Sequence, residues 1–422
     1  MRIAIVGSGI AGSVAAWHLY REHDITLFEA ERRAGGHTHT RVLEQDGRAY
    51  AVDSGFIVYN DWTYPNFVRL LAELGVESQP SRMSFSVRGE ASGIEYNGSS
   101  LNGLFAQRRN LLRPSFLGML RDILRFNREA PALLATGGGE LALGELLARG
   151  GYGEAFMHRY LLPMGAAIWS TDPASMLAFP ARFFVRFLAN HGMLSVNRRP
   201  VWRVIRGGSA RYLQKLHAPY RDRIRLGAPV ESIRRLPGQV ILRTRDGAAG
   251  RFDAVFLACH SDQALALLAD ASAAEREVLG AIPYQANEAV VHTDARLLPR
   301  RRRAWAAWNY HVTREPQARV ALTYNMNILQ GLDAPRPFLV TLNRTGAVDP
   351  AQVIERLTYH HPLFTPAGAA AQARQGELNR GRRTYYCGAY WRNGFHEDGV
   401  VSALAALAHF RADLAAQGRR AA

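Results

Sequence analysis

The first 29 residues constrain the fold more than any other part of the chain. Arg2 to Val6 is a short run rich in β-branched residues and reads as a buried strand. It passes into Gly7-Ser8-Gly9-Ile10-Ala11-Gly12, and an apolar helix is expected from Ser13 to about Tyr20. A second strand, Ile25 to Phe28, ends in Glu29. Each part of this strand, G-x-G-x-x-G, helix, strand, acid unit has a physical task. Gly7 makes the tight turn, Gly9 lets a pyrophosphate approach the backbone, and Gly12 lets the helix pack close to the strand. The helix N-terminus stabilises phosphate charge, and Glu29 can accept hydrogen bonds from a ribose diol. The unit therefore predicts an α/β, Rossmann-like dinucleotide-binding domain.

Composition narrows the partners. The 422 residues are 48% hydrophobic and 21% charged, which suits a globular chain with two or more domains. A net charge of +16 suggests an anionic partner, although Lys215 is the only lysine and an arginine bias of this kind also follows from genome composition. No helix-turn-helix, zinc-finger or RNP-like pattern is present, so no nucleic-acid partner is expected. Cys259 and Cys387 are the only cysteines and form no metal-binding spacing, so no metal site is expected and a reducing cytoplasm is the default. The N-terminus lacks the n-region and cleavage site of a signal peptide. No apolar run of about 18 residues stands out, so any membrane contact is expected to be peripheral.

The stretch after Glu29 and Ala30 separates the possible dinucleotides. Arg32-Arg33-Ala34-Gly35-Gly36-His37-Thr38 resembles the segment of the FAD-binding amine-oxidase superfamily that wraps the pyrophosphate and ribityl chain. His37 stands where that family usually has arginine. It reads as a phosphate or backbone partner or, alternatively, as a covalent flavin link. Val52-Asp53-Ser54-Gly55-Phe56 resembles the family's D-x-G segment beside the isoalloxazine, Val230 to Ile233 the strand that meets the adenine, and Phe252 to Cys259 the later strand ending at Ala258. Cys259 then reads as a strand-end residue rather than a nucleophile. Tyr385, Tyr386, Gly388, Gly399 and a final helix from Val400 resemble the family's last FAD segment, whose helix points its positive end at the flavin. The resemblance thus implies FAD held by Gly7, Gly9, Ile10, Ala11, Gly12, Glu29, Ala30, Arg33, Gly35, Gly36, His37, Thr38, Gly55, Phe56, Val230, Ala258, Gly388, Asp398, Gly399 and Val400. No second G-x-G-x-x-G supports a nicotinamide.

Two departures argue against amine oxidation. No lysine follows Lys215, whereas amine oxidases often use one at flavin N5, and Ala389 stands where they tend to have glutamate. The chain more closely resembles a bacterial subgroup of FAD- or NAD(P)-binding oxidoreductases through GGHTHT (35–40), DSGFIVYN (53–60), VWRVIRGGSARYL (201–213), TYNMNILQ (323–330) and YCGAYWRNGFHEDG (386–399). Genes of that subgroup sit beside cyclopropane-fatty-acid-type methyltransferases, and related flavoproteins desaturate or isomerise fatty acyl chains. The resemblance therefore implies a lipid or fatty-acyl substrate, methyl-modified and membrane-borne, with a methyltransferase partner. A flavin amine oxidase or other small-molecule dehydrogenase, and a non-enzymatic flavin-bound protein that presents lipid, are the alternatives.

The FAD domain is expected to be discontinuous, spanning 1–80, 200–280 and 375–422. The α+β substrate domain then spans 81–199, mostly helical, and 281–374, with strands at Glu288–Thr293, Arg319–Tyr324 and Phe338–Leu342. Phe116, Leu117, Leu120, Ile123 and Leu124 recur at helical spacing among arginines. That basic amphipathic helix either lies on anionic lipid, giving a cytoplasmic protein peripheral on the inner membrane, or packs on its own core. The aromatic run Phe179 to Leu194 either lines an acyl tunnel or fills the core. Tyr59, Asn60, Tyr324, Asn325, Asn327, Tyr390, His396 and Glu397 are candidate pocket residues, the two later asparagines having a turn as their alternative. His396 or Glu397 is the candidate base, with helix capping as the competing reading for Glu397 and Asp398.

Overall fold

The computed structural model describes residues 1–135, 141–195, 197–315 and 319–421. The opening unit folds as β1 (Arg2–Val6), α1 (Ile10–Leu19) and β2 (Asp24–Phe28). β1 is central in a five-stranded sheet ordered Ile224–Arg225, β2, β1, Ala254–Leu257, Thr384–Tyr386, and every neighbouring pair is parallel. Strand alternation sends Ile3 and Ile5 to one face, against α1 and the C-terminal helix (His396–Ala421), and Ala4 and Val6 to the other. The second face is covered by a three-stranded antiparallel sheet (Val230–Leu236, Gln239–Thr244, Ala249–Phe252) and the helix Ala273–Gly280. Both faces of the parallel sheet are therefore buried, which is why β1 reads as an unbroken apolar run.

The other half is a seven-stranded sheet ordered Val353–Pro362, Tyr284–His292, Leu339–Leu342, Leu322–Asn325, Trp308–Val312, Phe85–Gly89, Glu95–Asn97. Only the Trp308–Val312 and Phe85–Gly89 pair runs parallel. Helices from residues 114 to 190 close over it around Phe116, Phe126, Phe156, Leu161 and Phe184. The strand expected at 288–293 starts earlier, at Tyr284, because it pairs along its whole length with Val353–Pro362. The strand expected at 319–324 is confined to Leu322–Asn325.

One helix departs from expectation, and two others take one of the alternatives open to them. The C-terminal helix starts at His396, so His396, Glu397 and Asp398 form its first turn rather than preceding it. By length and composition it could cross a membrane, with mean hydropathy 1.3 over its best window. Its Val400, Ala403, Leu407 and Phe410 are instead packed into the core against the parallel sheet. In Pro114–Glu129 the inward face carries Phe116, Met119 and Phe126, whereas Leu117 and Leu124 face solvent. The aromatic run becomes the helix Ala181–Asn190, whose Phe184, Val185, Phe187 and Leu188 are core.

Gly12 makes this arrangement possible, because a Cβ there would lie 1.9 Å from the Gly7 carbonyl oxygen. Gly12→Val forces α1 off β1. It is expected to lower stability by about 3 kcal/mol and to yield protein without visible flavin absorbance, both checked on the purified variant.

Candidate functional site

The parallel strands end together. Val6, Phe28, Ala258 and Gly388, all at or just beyond strand ends, line one cleft of about 700 Å³ that continues into the second sheet. Ligands of open α/β sheets bind at this carboxyl edge, where strand order reverses on either side of β1.

At the nucleotide end, Gly7 adopts φ +100°, which favours glycine, and donates its N–H to the Phe28 carbonyl at 2.8 Å. A Cβ on Gly9 would meet nothing within 4 Å, whereas one on Gly36 would lie 3.3 Å from the Gly9 Cα. The two glycine loops thus lie in close contact, and Gly9 borders open space in which a pyrophosphate could approach the backbone. Ser8 ties the parts together: its hydroxyl donates to Glu29 and accepts from the Gly35 N–H at 3.0 Å. Glu29 also accepts from the Ser8 and Glu31 N–H groups, and its carboxylate retains lone pairs for a diol. Arg33 donates to the Gly36 carbonyl at 2.8 Å and clamps the second loop. Ala30, Val230 and Ala258 complete this wall.

At the other end, the 35–38 and 54–56 loops cross. Phe56 donates its N–H to the His37 carbonyl at 2.7 Å, and a Cβ on Gly55 would lie 2.1 Å from that oxygen. The His37 ring stacks on Tyr359 at 4.9 Å, with His361 at 5.3 Å. Burial and the imidazoles around it hold His37 well below its ordinary range. His396 stacks on Phe56 with ring centroids 3.4 Å apart, and its Nε2 lies 3.0 Å from both the Thr38 and Tyr212 hydroxyls. Burial draws its pKa down to about 3, so it is an uncharged, weak base at neutral pH. Tyr324 lines the cleft edge-on to Trp308 at 5.2 Å, and burial pushes its phenol up. Behind this wall, Phe183 stacks on Phe364 and Phe187 on Phe395, so the aromatic helix backs the cleft without lining it.

Among the described residues, four buried polar atoms on the cleft wall lack a partner: His37 Nε2, Tyr390 OH, Trp169 Nε1 and Trp308 Nε1. Buried groups of this kind are normally satisfied. With the open glycine cradle, they fit a long ligand with a phosphate end and a polar-edged aromatic end, as FAD has.

Several expected residues lie elsewhere. Glu397 does not reach the cleft; it accepts the Asn66 and Phe67 N–H groups at 3.1 and 2.9 Å and the Asn66 amide at 2.6 Å, capping the helix Pro65–Glu73. Tyr59 is core, edge-on to Phe67 at 5.3 Å. Asn60 holds the turn at Trp62 and Thr63. Asn325 caps Met326–Gln330, and Asn327 holds the following loop through Phe338. Asp398 accepts the Phe395 N–H as a cap, and burial raises it to about 6. Thr38 supports His396 from behind, and Gly12 lies beneath the turn. Gly399 and Val400 face α1 and the sheet rather than the cleft; a Cβ on Gly399 would lie 2.6 Å from Ile10 Cγ2. Burial pushes the Cys259 thiol up to about 12, which suits a wall residue and not a nucleophile. Sequence reasoning missed Ser8 and Tyr212, although both lie in stretches that carry the resemblance. It also missed Trp169, Tyr359 and Phe364, which no local motif marks.

The model of flavin-containing amine oxidoreductases matches residues 10–298, and the chain belongs to that family. FAD is its cofactor, and the protein is an FAD-dependent oxidoreductase. Similar solved structures include cyclohexylamine oxidase from Brevibacterium oxydans IH-35A, 16% identical, covering 97% of this chain and 98% of that one, with a TM-score of 0.68. A CLA-producing fatty acid isomerase from P. acnes is 18% identical over 95% and 96%, with a TM-score of 0.66. A wild-type putrescine oxidase bound to putrescine is 15% identical over 97% and 99%, with a TM-score of 0.64.

Two outcomes follow for this site. Glu397→Ala removes a cap and is expected to lower stability by about 1–2 kcal/mol while leaving flavin content intact in urea unfolding and absorbance. Unchanged stability with lost reduction of the flavin by substrate would restore Glu397 as a base. The second outcome concerns acid. Burial draws His39, His191, His217, His260, His292 and His361 to about 4, and His311 and His396 to about 3, from an ordinary 6.5. Between these values the unfolded chain binds more protons, so stability rises with pH. Asp53 and Asp398, raised by burial to about 6 from 3.8, act in the opposite sense but are fewer. The Tm is therefore expected to climb from pH 4 to about 6.5 and then level; a flat or falling profile contradicts this assignment.

Proposed function

We propose that this oxidoreductase acts on a fatty-acyl chain, desaturating it or moving its double bond. The observation that carries this reading is the chemistry of the cleft beyond the glycine loops. Ile57, Val58, Ile168, Trp169, Leu329 and Phe364 dominate it, and among the described residues its charged groups, Glu29, Glu31, Arg33 and Arg245, belong to the nucleotide end. Lys215 lies outside it, donating to the Gly75 carbonyl. Such a wall suits a neutral apolar chain and offers an ammonium no carboxylate. The likeness to a fatty acid isomerase supports the same substrate class, and a methyltransferase acting on the same lipid would supply methyl-modified chains.

FAD bound in the cleft supplies a two-electron acceptor for hydride. The chain's own groups do the rest. Trp169, Phe364 and Phe395 exclude water, and Tyr324 and Trp308 present ring faces and edges to the substrate. His361, drawn to about 4 by burial, and His396 are uncharged imidazoles at neutral pH, so either can take up the proton that desaturation releases and pass it to solvent.

Anaerobic addition of long-chain fatty acids is expected to bleach the visible flavin band, or, for isomerisation, to shift it and let it recover as product forms. Cyclohexylamine and putrescine are expected to leave it unchanged. Bleaching by amines, with fatty acids inert, would overturn the reading.

A further inference from the structure

Two basic segments almost two hundred residues apart meet on one surface. Helix Leu101–Leu104 packs against both the strand Glu95–Asn97 and the turn Arg302–Ala304. The Glu95 carboxylate accepts the Arg300 and Arg301 N–H groups at 2.9 and 3.0 Å, and Asn97 donates its amide to the Trp305 carbonyl at 2.9 Å. These bonds hold the loop 300–305 rigidly beside the segment that follows residue 101. The side chains of Arg300 to Arg303 are exposed, as are those of Arg108 and Arg109 a few residues beyond the helix that packs on this loop. Among the described residues none of these six arginines pairs with a carboxylate, although Arg121, Arg125 and Arg128 further along do.

The segment from residue 101 into the helix Pro114–Glu129, which packs on residues 108–112, also carries leucines that the fold leaves outside. Leu101 is 77% exposed and Leu112 86%, with Leu111, Leu117 and Leu124 also outward. Leu117 and Leu124 are seven residues apart, two helical turns, and so share one face of Pro114–Glu129. Isolated exposed leucines are ordinary; Leu111 and Leu112 just after two unpaired arginines, with further leucines outward along the next helix, are not. This pairing matches a bilayer of anionic lipid, in which leucines enter the acyl boundary while guanidinium groups bind headgroup phosphates. A nucleic acid would use the arginines but leave the leucines in water.

We propose that this face, formed by residues 101–124 and 300–303, docks the protein on anionic membrane. The surface belongs to the helical unit that builds the cleft wall: Pro114–Glu129 packs on Glu154–Phe156, which leads through residues 157–161 into the helix ending at Trp169. The docking stands apart from the acyl-substrate reading, since it needs no turnover.

The test is co-flotation of the flavin-loaded protein with vesicles of phosphatidylglycerol and phosphatidylcholine, with phosphatidylcholine alone, and with a duplex oligonucleotide as competitor. Binding is expected on anionic vesicles only, weakened by salt. The Arg300–Arg303 change to glutamine is expected to weaken it at least about a hundredfold, and Leu111→Ser with Leu112→Ser at least about tenfold. Flavin absorbance and Tm, unchanged from the parent, show that these exposed substitutions preserve the fold. No vesicle binding, equal binding to neutral vesicles, or loss with the arginine variant but not the leucine variant together with tight oligonucleotide binding would each overturn the proposal.

Discussion

The structure depends on a close approach between two helix N-termini. α1 begins where β1 ends, and the C-terminal helix arrives beside it from the far end of the chain. Gly399 against Ile10 lets them touch, because a Cβ there would lie 2.6 Å from the Ile10 side chain. The first turns of both helices reach the cleft, through Ile10 and Ala11 on one side and His396 on the other. Two positive helix ends therefore converge on the place where a cofactor carries phosphate and takes up negative charge. The glycines at 7, 12 and 36 serve the same geometry by keeping side chains out of it.

The nucleotide end was legible in the sequence because backbone geometry dictates it. A turn at φ +100° and helix–strand contact at 1.9 Å from a would-be Cβ leave glycine as the fitting residue, so spacing alone exposes them. The flavin end was legible only in part: Gly55, Phe56, Tyr324, Gly388, Tyr390 and His396 line the cleft, but the rest of its wall is assembled from side chains of unrelated segments, and Trp169, Trp308, Tyr359 and Phe364 carry no local signal. His396 and Glu397 show the limit most clearly. They are adjacent, and the sequence treats them alike. Once the helix starts at His396, successive side chains turn by about 100°. One then faces Phe56 and the cleft, and the other caps the helix at Asn66. The helix Pro114–Glu129 was legible as an amphipathic helix, but Phe116 fits two apolar stripes, and only tertiary packing selects the one with Met119 and Phe126 for the core and leaves Leu117 and Leu124 outside.

Charge is distributed in three zones. Carboxylates and arginines hold the nucleotide end, uncharged imidazoles and aromatics line the rest of the cleft, and unpaired arginines cluster on an outer face. Burial produces the middle zone, since it removes protons from His37, His361 and His396 rather than pairing them. The neutral cleft and the basic, leucine-bearing segments are the observations behind the acyl-substrate and membrane-docking proposals respectively.

The most direct test of this account is mass spectrometry of acyl chains recovered after incubation with the flavin-loaded enzyme. The account predicts chains that have lost a pair of hydrogens, or chains of unchanged mass with a relocated double bond. Acyl chains recovered intact, from enzyme that converts amines to carbonyl products and peroxide, would contradict it.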